Sequence, residues 1–252
     1  MKKIIIAGLL LTGLNFLAGC SATKETTEMK TTDTKTSHQQ AKHFSKVVKT
    51  RVSTNYLLYL PQDYGKDDKK WPLVLFLHGA GERGADINMV KRHGPPKLVE
   101  QGKEFPFILI SPQCPEDQMW SIPTLDALVN EIQDKYDVDP ARVYVTGLSM
   151  GGYATWKMAE NFPDRFAAIA PICGWGNVST VCNLKRLPIW TFHGKKDRAV
   201  PFEKTEELVS ALKKCGGNIQ FTVYPDAGHD SWTESYNNPK LYEWMLKQTN
   251  NH

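Results

Sequence analysis

The sequence lacks several features that would point directly to a class of function. It has only five cysteines among 252 residues, and no two of them form a C-x-x-C pair. No cluster of histidines accompanies them, so no metal site is indicated. The net charge of +4 comes from 31 basic and 27 acidic residues, and this small excess forms no basic patch. The sequence therefore gives no basis for nucleic-acid binding.

Long apolar runs are also scarce, and the most distinct one lies at the N-terminus. Residues 4–16 follow the positive start Met1-Lys2-Lys3, a pattern typical of a secretory signal peptide, and are too few to span a bilayer. The ending L-A-G-C resembles a bacterial lipobox, which implies cleavage before Cys20 and lipid on its sulfur and amino group. We expect an anchor on the exported side of a cell envelope, with a short internal helix and a chance cysteine as the alternative.

The segment after Cys20 is polar and is rich in Thr, Lys, Glu, Ser and Gln. Such a composition cannot bury enough apolar surface to fold, so residues 20–42 are expected to form a flexible, lipidated tether. The chain then divides into a signal peptide (1–19), this tether and one folded catalytic domain (43–252).

Within the domain, short apolar runs alternate with amphipathic segments. This alternation predicts an α/β fold with a mostly parallel central sheet and helices on both faces. Residues 47–52 and 56–60 are expected to form an opening antiparallel pair. The other predicted strands are 73–77, 107–110, 143–145, 166–170, 189–192 and 219–223, and the predicted helices are 125–136, 202–214 and 240–248.

The run G-L-S-M-G, residues 147–151, matches G-x-S-x-G between a strand-like and a helix-like segment. In that context the motif is a nucleophile elbow, which raises the serine hydroxyl above the ends of the strands. We therefore predict Ser149 as the nucleophile and the amide of Met150 as one oxyanion donor. The alternative is a glycine-rich turn with a capping serine.

A serine nucleophile needs a base that takes its proton. His229, in D-A-G-H-D-S-W, follows a predicted strand and stands last in the order serine, acid, histidine. Asp197 in F-H-G-K-K-D is favoured as the acid, and Asp226 is its rival. His78 and His193 each precede a glycine at a strand end and are expected to shape those loops.

The loop after the strand 73–77 reads H-G-A-G-E-R-G, residues 78–84. Its small residues allow backbone amides to approach a ligand closely. We predict the amide of Ala80 as the second oxyanion donor, with Gly81 as the alternative. Glu82 and Arg83 are expected to form a structural pair and not to contact the substrate.

Together these motifs resemble the α/β-hydrolase superfamily. L-H-G-A-G-E-R-G, S-P-Q-C-P, G-L-S-M-G-G, P-I-C-G, F-H-G-K-K-D and G-H-D-S-W look like bacterial secreted esterases related to dienelactone hydrolase and the polyhydroxybutyrate-depolymerase/feruloyl-esterase group. Such relatives are often labelled predicted peptidase or phospholipase/carboxylesterase. The resemblance covers residues 50–248 and implies that Ser149 attacks an ester carbonyl and forms an acyl-enzyme, with no cofactor. Trp175 departs from the pattern, since relatives commonly carry glycine there.

The substrate is less well defined than the chemistry. Only residues 173–187 lie where related folds insert a cap, so we expect little or no cap and an open site. Trp120, Trp175 and Trp232 lie in loops at strand ends, where their rings either stack on a sugar or an aromatic acyl group or simply pack the loops. These features favour acetyl or feruloyl groups of polysaccharides as the ester substrate.

Three other functions stay open on the sequence alone. A serine peptidase would use the same three residues, although the chain has no room for the propeller that many such peptidases carry. A phospholipase fits the expected anchor, but no long apolar lid is evident. A non-catalytic binding lipoprotein would often lack one of the three catalytic residues, and all three are present.

The cysteines after Cys20 leave the pairing undetermined, because four cysteines allow three complete sets of disulfides. Cys173 and Cys182 are close enough along the chain to bridge one loop. Unpaired buried thiols are the equal alternative. The four residues are Cys114, Cys173, Cys182 and Cys215.

Overall fold

Seven strands and six α-helices make up the described part of a computed structural model, residues 49–250. The predicted signal peptide, Cys20 and the tether lie outside the described residues. None of the helices within 49–250 has the length and apolar character needed to cross a bilayer. The strands are β1 (Tyr56–Tyr59), β2 (Trp71–Leu77), β3 (Ile108–Pro112), β4 (Val138–Leu148), β5 (Ala168–Ile172), β6 (Ile189–Gly194) and β7 (Ile219–Tyr224), and the helices are α1 (Gly94–Glu100), α2 (Ile122–Lys135), α3 (Met150–Asn161), α4 (Phe202–Lys214), α5 (Trp232–Asn237) and α6 (Pro239–Leu246).

The strands form one sheet in the order β1-β3-β2-β4-β5-β6-β7. Strands β2 to β7 pair in parallel, and β1 pairs antiparallel with β3 at one edge. All the parallel strands therefore end at the same side of the sheet, where loop residues from several strands can meet. This is the α/β-hydrolase architecture that the sequence predicted.

Both faces of the sheet are covered, as the continuous apolar strands require. In β2, Leu73, Leu75 and Leu77 pack on one face while Val74 and Phe76 pack on the other, and all are fully buried. Helices α2, α3 and α4 cover the first face, and α1, α5 and α6 cover the second.

The opening strand pair is the main error in the predicted elements. Residues 49–52 form no strand, and the partner of β1 is β3, with Leu58 opposite Ile110. Strand β4 also begins five residues before its predicted start, because Val138 pairs with Trp71 of β2. The predicted helix 202–214 matches α4 at both ends, and the other predicted strands and helices are present with shifted ends.

The segment between β5 and β6 contains one short 3-10 helix, Val181–Leu184, where larger relatives of this fold carry a cap. Cys182 of this helix forms a disulfide with Cys215 at the end of α4. A Cys173–Cys182 bridge is therefore wrong. Cys173 and Cys114 are free thiols, both buried.

Candidate active site

Ser149 lies between β4 and α3 in a strained backbone conformation, with φ 53° and ψ −115°. Left-handed φ values are disfavoured for residues with a side chain and persist only where the surroundings hold them. Here the Ser149 amide donates to Ile172 O at 2.9 Å, and the Tyr153 amide donates to Ser149 O at 2.9 Å. These two hydrogen bonds connect the turn to β5 and to α3.

The two glycines of the motif allow the helix to start directly against the sheet. A Cβ at Gly147 would lie 2.5 Å from Gly151 O, and a Cβ at Gly151 would overlap the carbonyl oxygen of Leu77. Real Cβ atoms do not approach backbone atoms this closely, so larger residues would push α3 away from β2 and β4. The G-x-S-x-G pattern is therefore a packing requirement of the elbow.

Three predicted side chains meet above the ends of β4, β6 and β7. The Ser149 hydroxyl lies 2.9 Å from His229 Nε2, and His229 Nδ1 lies 2.7 Å from Asp197 Oδ2. The carboxylate can only accept, so Nδ1 carries the proton and Nε2 accepts from the hydroxyl. The rival acid, Asp226, is exposed and pairs with Lys196 at 2.7 Å.

The Asp197 carboxylate is buried, and protein donors serve both of its oxygens. Oδ1 accepts from the amides of Ala199 and Val200 at 2.9 and 3.0 Å, and Oδ2 accepts from His229. Burial alone would raise the pKa of Asp197, but the hydrogen bonds from His229 and the two amides outweigh it and hold that pKa below its ordinary value. The charged form that can stabilise an imidazolium is therefore favoured.

His193 contributes a second imidazole to the same carboxylate, which the sequence did not reveal. Its Nε2 lies 3.0 Å from Asp197 Oδ2 and 3.0 Å from Val200 O, so this nitrogen must carry a proton. Burial lowers the pKa of His193, and Nδ1 lies 2.8 Å from the Thr205 hydroxyl. That hydroxyl donates to Gly174 O at 2.8 Å.

The predicted oxyanion donors flank the serine. Met150 is the first residue of α3, where amides have no intrahelical acceptor, and Ala80 begins a 3-10 helix directly after Gly79. A Cβ at Gly79 would lie 3.7 Å from Ser149 Cβ, so this loop runs beside the nucleophile. The roles of Ala80, Gly81 and Met150 stay predictions.

His78 holds that loop in place, as its position at the strand end predicted. Its Nδ1 donates to Gly79 O at 2.6 Å, and its Nε2 accepts from the Cys114 amide at 3.0 Å. Burial lowers the pKa of His78 to about 4, so a single neutral tautomer persists at neutral pH.

The expected ion pair between Glu82 and Arg83 is wrong. Glu82 is buried and lies 3.6 Å from His93 Nε2, while Arg83 donates to the carbonyls of Ala80 and Gln118. His93, for which the sequence gave no role, therefore stands between a buried carboxylate and the Trp232 ring, 5.4 Å away.

The three candidate tryptophans have different surroundings. Trp120 lies 4.7 Å from the His78 ring and donates to His78 O, so it packs against the start of the loop that follows β2. Trp175 stacks on Tyr153 at 4.8 Å, one helical turn beyond Ser149. Trp232 lies edge-on to His229, with ring centroids 5.2 Å apart, and so contacts a predicted catalytic residue directly.

Among residues 49–250, one group of potential metal ligands is close enough to share an ion: Cys173, Asp197 and His229. Asp197 and His229 already bond to each other, and burial raises the pKa of Cys173 to about 12, which keeps the thiol protonated. These residues fit a hydrogen-bonded triad better than a metal site.

The chain is similar to several known hydrolases. A family model described as the dienelactone hydrolase family matches residues 109–243, more than half of the chain, and this range includes Ser149, Asp197 and His229. The bifunctional acetylxylan esterase/xylanase XynS20E of Neocallimastix patriciarum is 26% identical over 185 residues, 69% of this chain and 26% of that protein. Carboxylesterase SOBER1 of Arabidopsis thaliana is 27% identical over 132 residues, 50% of this chain and 58% of that protein.

Solved structures show the same fold. A thermostable esterase is 36% identical with a TM-score of 0.68, over 77% of this chain and 58% of that one. A ferulic acid esterase has a TM-score of 0.58 at 20% identity, over 76% of this chain and 89% of that one. The chain thus spans about a quarter of the acetylxylan esterase/xylanase and 58% of both the Arabidopsis carboxylesterase and the thermostable esterase.

Proposed function

Because this chain belongs to the dienelactone hydrolase family, we propose that it is a carboxylic-ester hydrolase whose nucleophile is Ser149. One observation carries the proposal: Ser149, His229 and Asp197 are joined by hydrogen bonds of 2.9 and 2.7 Å. This chain of bonds lets an imidazole take the serine proton while a buried carboxylate stabilises the charge that results.

The proposed reaction passes through an acyl-enzyme. Ser149 Oγ attacks the ester carbonyl as His229 Nε2 accepts its proton, and the amides of Met150 and Ala80 stabilise the oxyanion. Collapse of this intermediate breaks the bond to the alcohol, which leaves with the proton held by His229. A water molecule, activated by the same nitrogen, then releases the acid and restores the serine.

The proposed substrates are acetyl or feruloyl esters of polysaccharides. The short 173–187 segment supports this proposal, since it leaves room for a bulky alcohol group beside the serine. The likeness to an acetylxylan esterase/xylanase from Neocallimastix patriciarum supports it as well.

Mutation of the nucleophile tests the proposed chemistry. Ser149→Ala is expected to abolish fluorophosphonate labelling and to lower kcat for 4-nitrophenyl acetate by about 10⁴-fold or more, with unchanged thermal unfolding. A wild-type protein that neither labels nor turns over the ester would contradict the proposal and favour a binding lipoprotein. Faster cleavage of a peptide anilide than of the nitrophenyl ester would favour a peptidase, and preference for long-chain phospholipid esters would favour a phospholipase.

We also propose that the protein is lipid-anchored through Cys20 on the exported side of a bacterial membrane. The support is the L-A-G-C ending and the Cys182–Cys215 disulfide, because disulfides persist in oxidising compartments outside the cytoplasm. The wild-type protein is expected to enter the detergent phase on Triton X-114 partitioning, and Cys20→Ala to remain in the aqueous phase. Equal partitioning of the two proteins would argue against the anchor.

A further inference from the structure

We propose that the pocket between α1 and α5 binds a sugar ring of the ester's alcohol group, an inference that rests on the proposed esterase function. The pocket has a volume of about 190 Å³ and is lined by residues of the two helices, including Lys97, Gln101, Trp232 and Asn237. Pockets for drug-sized ligands are larger, roughly 300–1,000 Å³, so the space suits a single ring.

One residue, Trp232, both lines the pocket and contacts the proposed catalytic histidine. Trp232 lines the pocket, and its ring centroid lies 5.2 Å from that of His229. His229 is the group that returns a proton to the departing alcohol in the proposed reaction. A ring held against Trp232 is therefore one side chain away from the bond that breaks, which is where the alcohol group must lie.

The polar lining matches a ligand that carries hydroxyl groups. The side chains of Lys97, Gln101 and Asn237 form no hydrogen bond or ion pair with any residue in 49–250. Two amides and an ammonium provide both donors and acceptors, as a sugar hydroxyl requires. Gln101 and Asn237 are exposed, so water hydrates both amides in the free protein, and the hydroxyl groups of a sugar ring can replace that water.

Trp232 adds an aromatic surface to the wall of the pocket. An indole ring can cover the apolar face of a bound sugar. Contacts with His93 and His229 hold this ring, with centroid distances of 5.4 and 5.2 Å, and His93 itself lies 3.6 Å from Glu82.

A selectivity measurement tests this assignment. In the full-length protein, Gln101→Ala with Asn237→Ala should lower kcat/KM for acetylated xylobiose about tenfold relative to kcat/KM for 4-nitrophenyl acetate, because two hydrogen bonds are lost. Asn183→Ala with Gln220→Ala is the matched control, since these exposed side chains lie outside the pocket, and its ratio should equal that of the wild type. An unchanged ratio in the first double variant would overturn the proposal, as would an equal fall in the control. A larger loss for methyl ferulate than for acetylated xylobiose would assign the pocket to the acyl group and also overturn it.

Binding without turnover separates this inference from the proposed function. Calorimetric titration of xylobiose into the Ser149→Ala protein should give a dissociation constant that rises about tenfold when Gln101→Ala and Asn237→Ala are added. Equal affinities of the Ser149→Ala protein with and without the two pocket substitutions, or no binding to either, would contradict the proposed sugar site even if the protein is an active esterase. If the wild-type protein does not react with a fluorophosphonate, the proposed esterase function is contradicted. The xylobiose titration then still tests the sugar site independently.

Discussion

Asp197 accepts hydrogen bonds from two imidazoles at one oxygen, Oδ2. His229 and His193 donate to it at 2.7 and 3.0 Å, and the two backbone amides serve Oδ1. Each donor stabilises the carboxylate, but each also withdraws some of its capacity to stabilise a positive charge on His229. In the proposed reaction, His193 is thus a positioning residue that acts through Asp197.

Substitution of His193 should therefore shift the pH profile. In His193→Leu the carboxylate loses a donor and becomes more basic, so it holds the protonated form of His229 more strongly. Because only the neutral base is active, the acidic limb of kcat/KM is expected to move to higher pH by about half a unit or more. Initial rates with 4-nitrophenyl acetate between pH 4.5 and 8 measure the shift.

His193→Gln is the matched control, because its amide nitrogen can donate near the position of Nε2. It should restore the limb toward its wild-type position. Equal profiles for the leucine variant and the wild type would show that the bond from His193 has no effect on the base.

At this scale the sequence predicted much of the site. Ser149, Asp197 and His229 follow a recognisable chain order, and each lies in the turn or loop that follows a strand-like run. The bond from His193 to Asp197 and the Cys182–Cys215 bridge depend on how separate elements pack, which no local pattern records. His193 did carry a signal, since it stands four residues before Asp197 at the same strand end, but that position fitted a loop-shaping role equally well.

Between elements, the closest approach at the site is that of α3 to β2. The backbone of Gly151 packs directly against the carbonyls of Leu77 and His78. This contact fixes the position of the first turn of α3 relative to the sheet, and therefore also the positions of Ser149 and the Met150 amide.

Gly151→Ala should consequently destabilise the protein. The added methyl group overlaps backbone atoms that cannot move aside, so the free energy of unfolding should fall by about 3 kcal/mol, and turnover should fall with it. Urea unfolding followed by tryptophan fluorescence measures the change.

Gly81→Ala provides a stability control, because a Cβ at Gly81 meets no atom within 4 Å. Its unfolding free energy should stay within about 0.5 kcal/mol of the wild-type value. Similar losses in the two variants would contradict the packing argument.

The order of strands and helices was predictable, but the edge of the sheet was not. Strands such as β2 and β6 are recognisable in the sequence as continuous apolar runs, because both faces of these strands are buried. Strand β1 is half-buried, and its partner, β3, lies about fifty residues further along the chain, so its pairing depends on the assembled sheet. The polar start of β4 forms a strand because it pairs beside Trp71, whatever its own composition.

Across the whole molecule, burial of neutral histidines makes folding sensitive to acid. The pKa of His78 is about 4 in the folded protein, below its ordinary value of 6.5. Between these values the unfolded chain binds a proton that the folded protein excludes. The stability that neutral His78 contributes is therefore present above pH 6.5 and is lost progressively as the pH falls toward 4.

The expected loss attributable to His78 is on the order of 2 kcal/mol between pH 7 and pH 5. In His78→Gln the difference in unfolding free energy between these two pH values should be smaller than in the wild type by this amount. Urea titrations at both pH values measure the difference within each protein, so a lower overall stability of the variant does not affect the comparison. Identical differences in the two proteins would show that His78 titrates alike when folded and unfolded.

The separation of the three triad residues along the chain also bears on how the protein acquires activity. Ser149 and His229 are 80 residues apart, and their side chains meet only after β4, β5, β6 and β7 have paired in parallel. Pairing between distant segments is the slow part of folding. If the proposed esterase activity is present, turnover recovered during refolding should therefore mark completion of this half of the sheet and should lag behind the return of the helical signal.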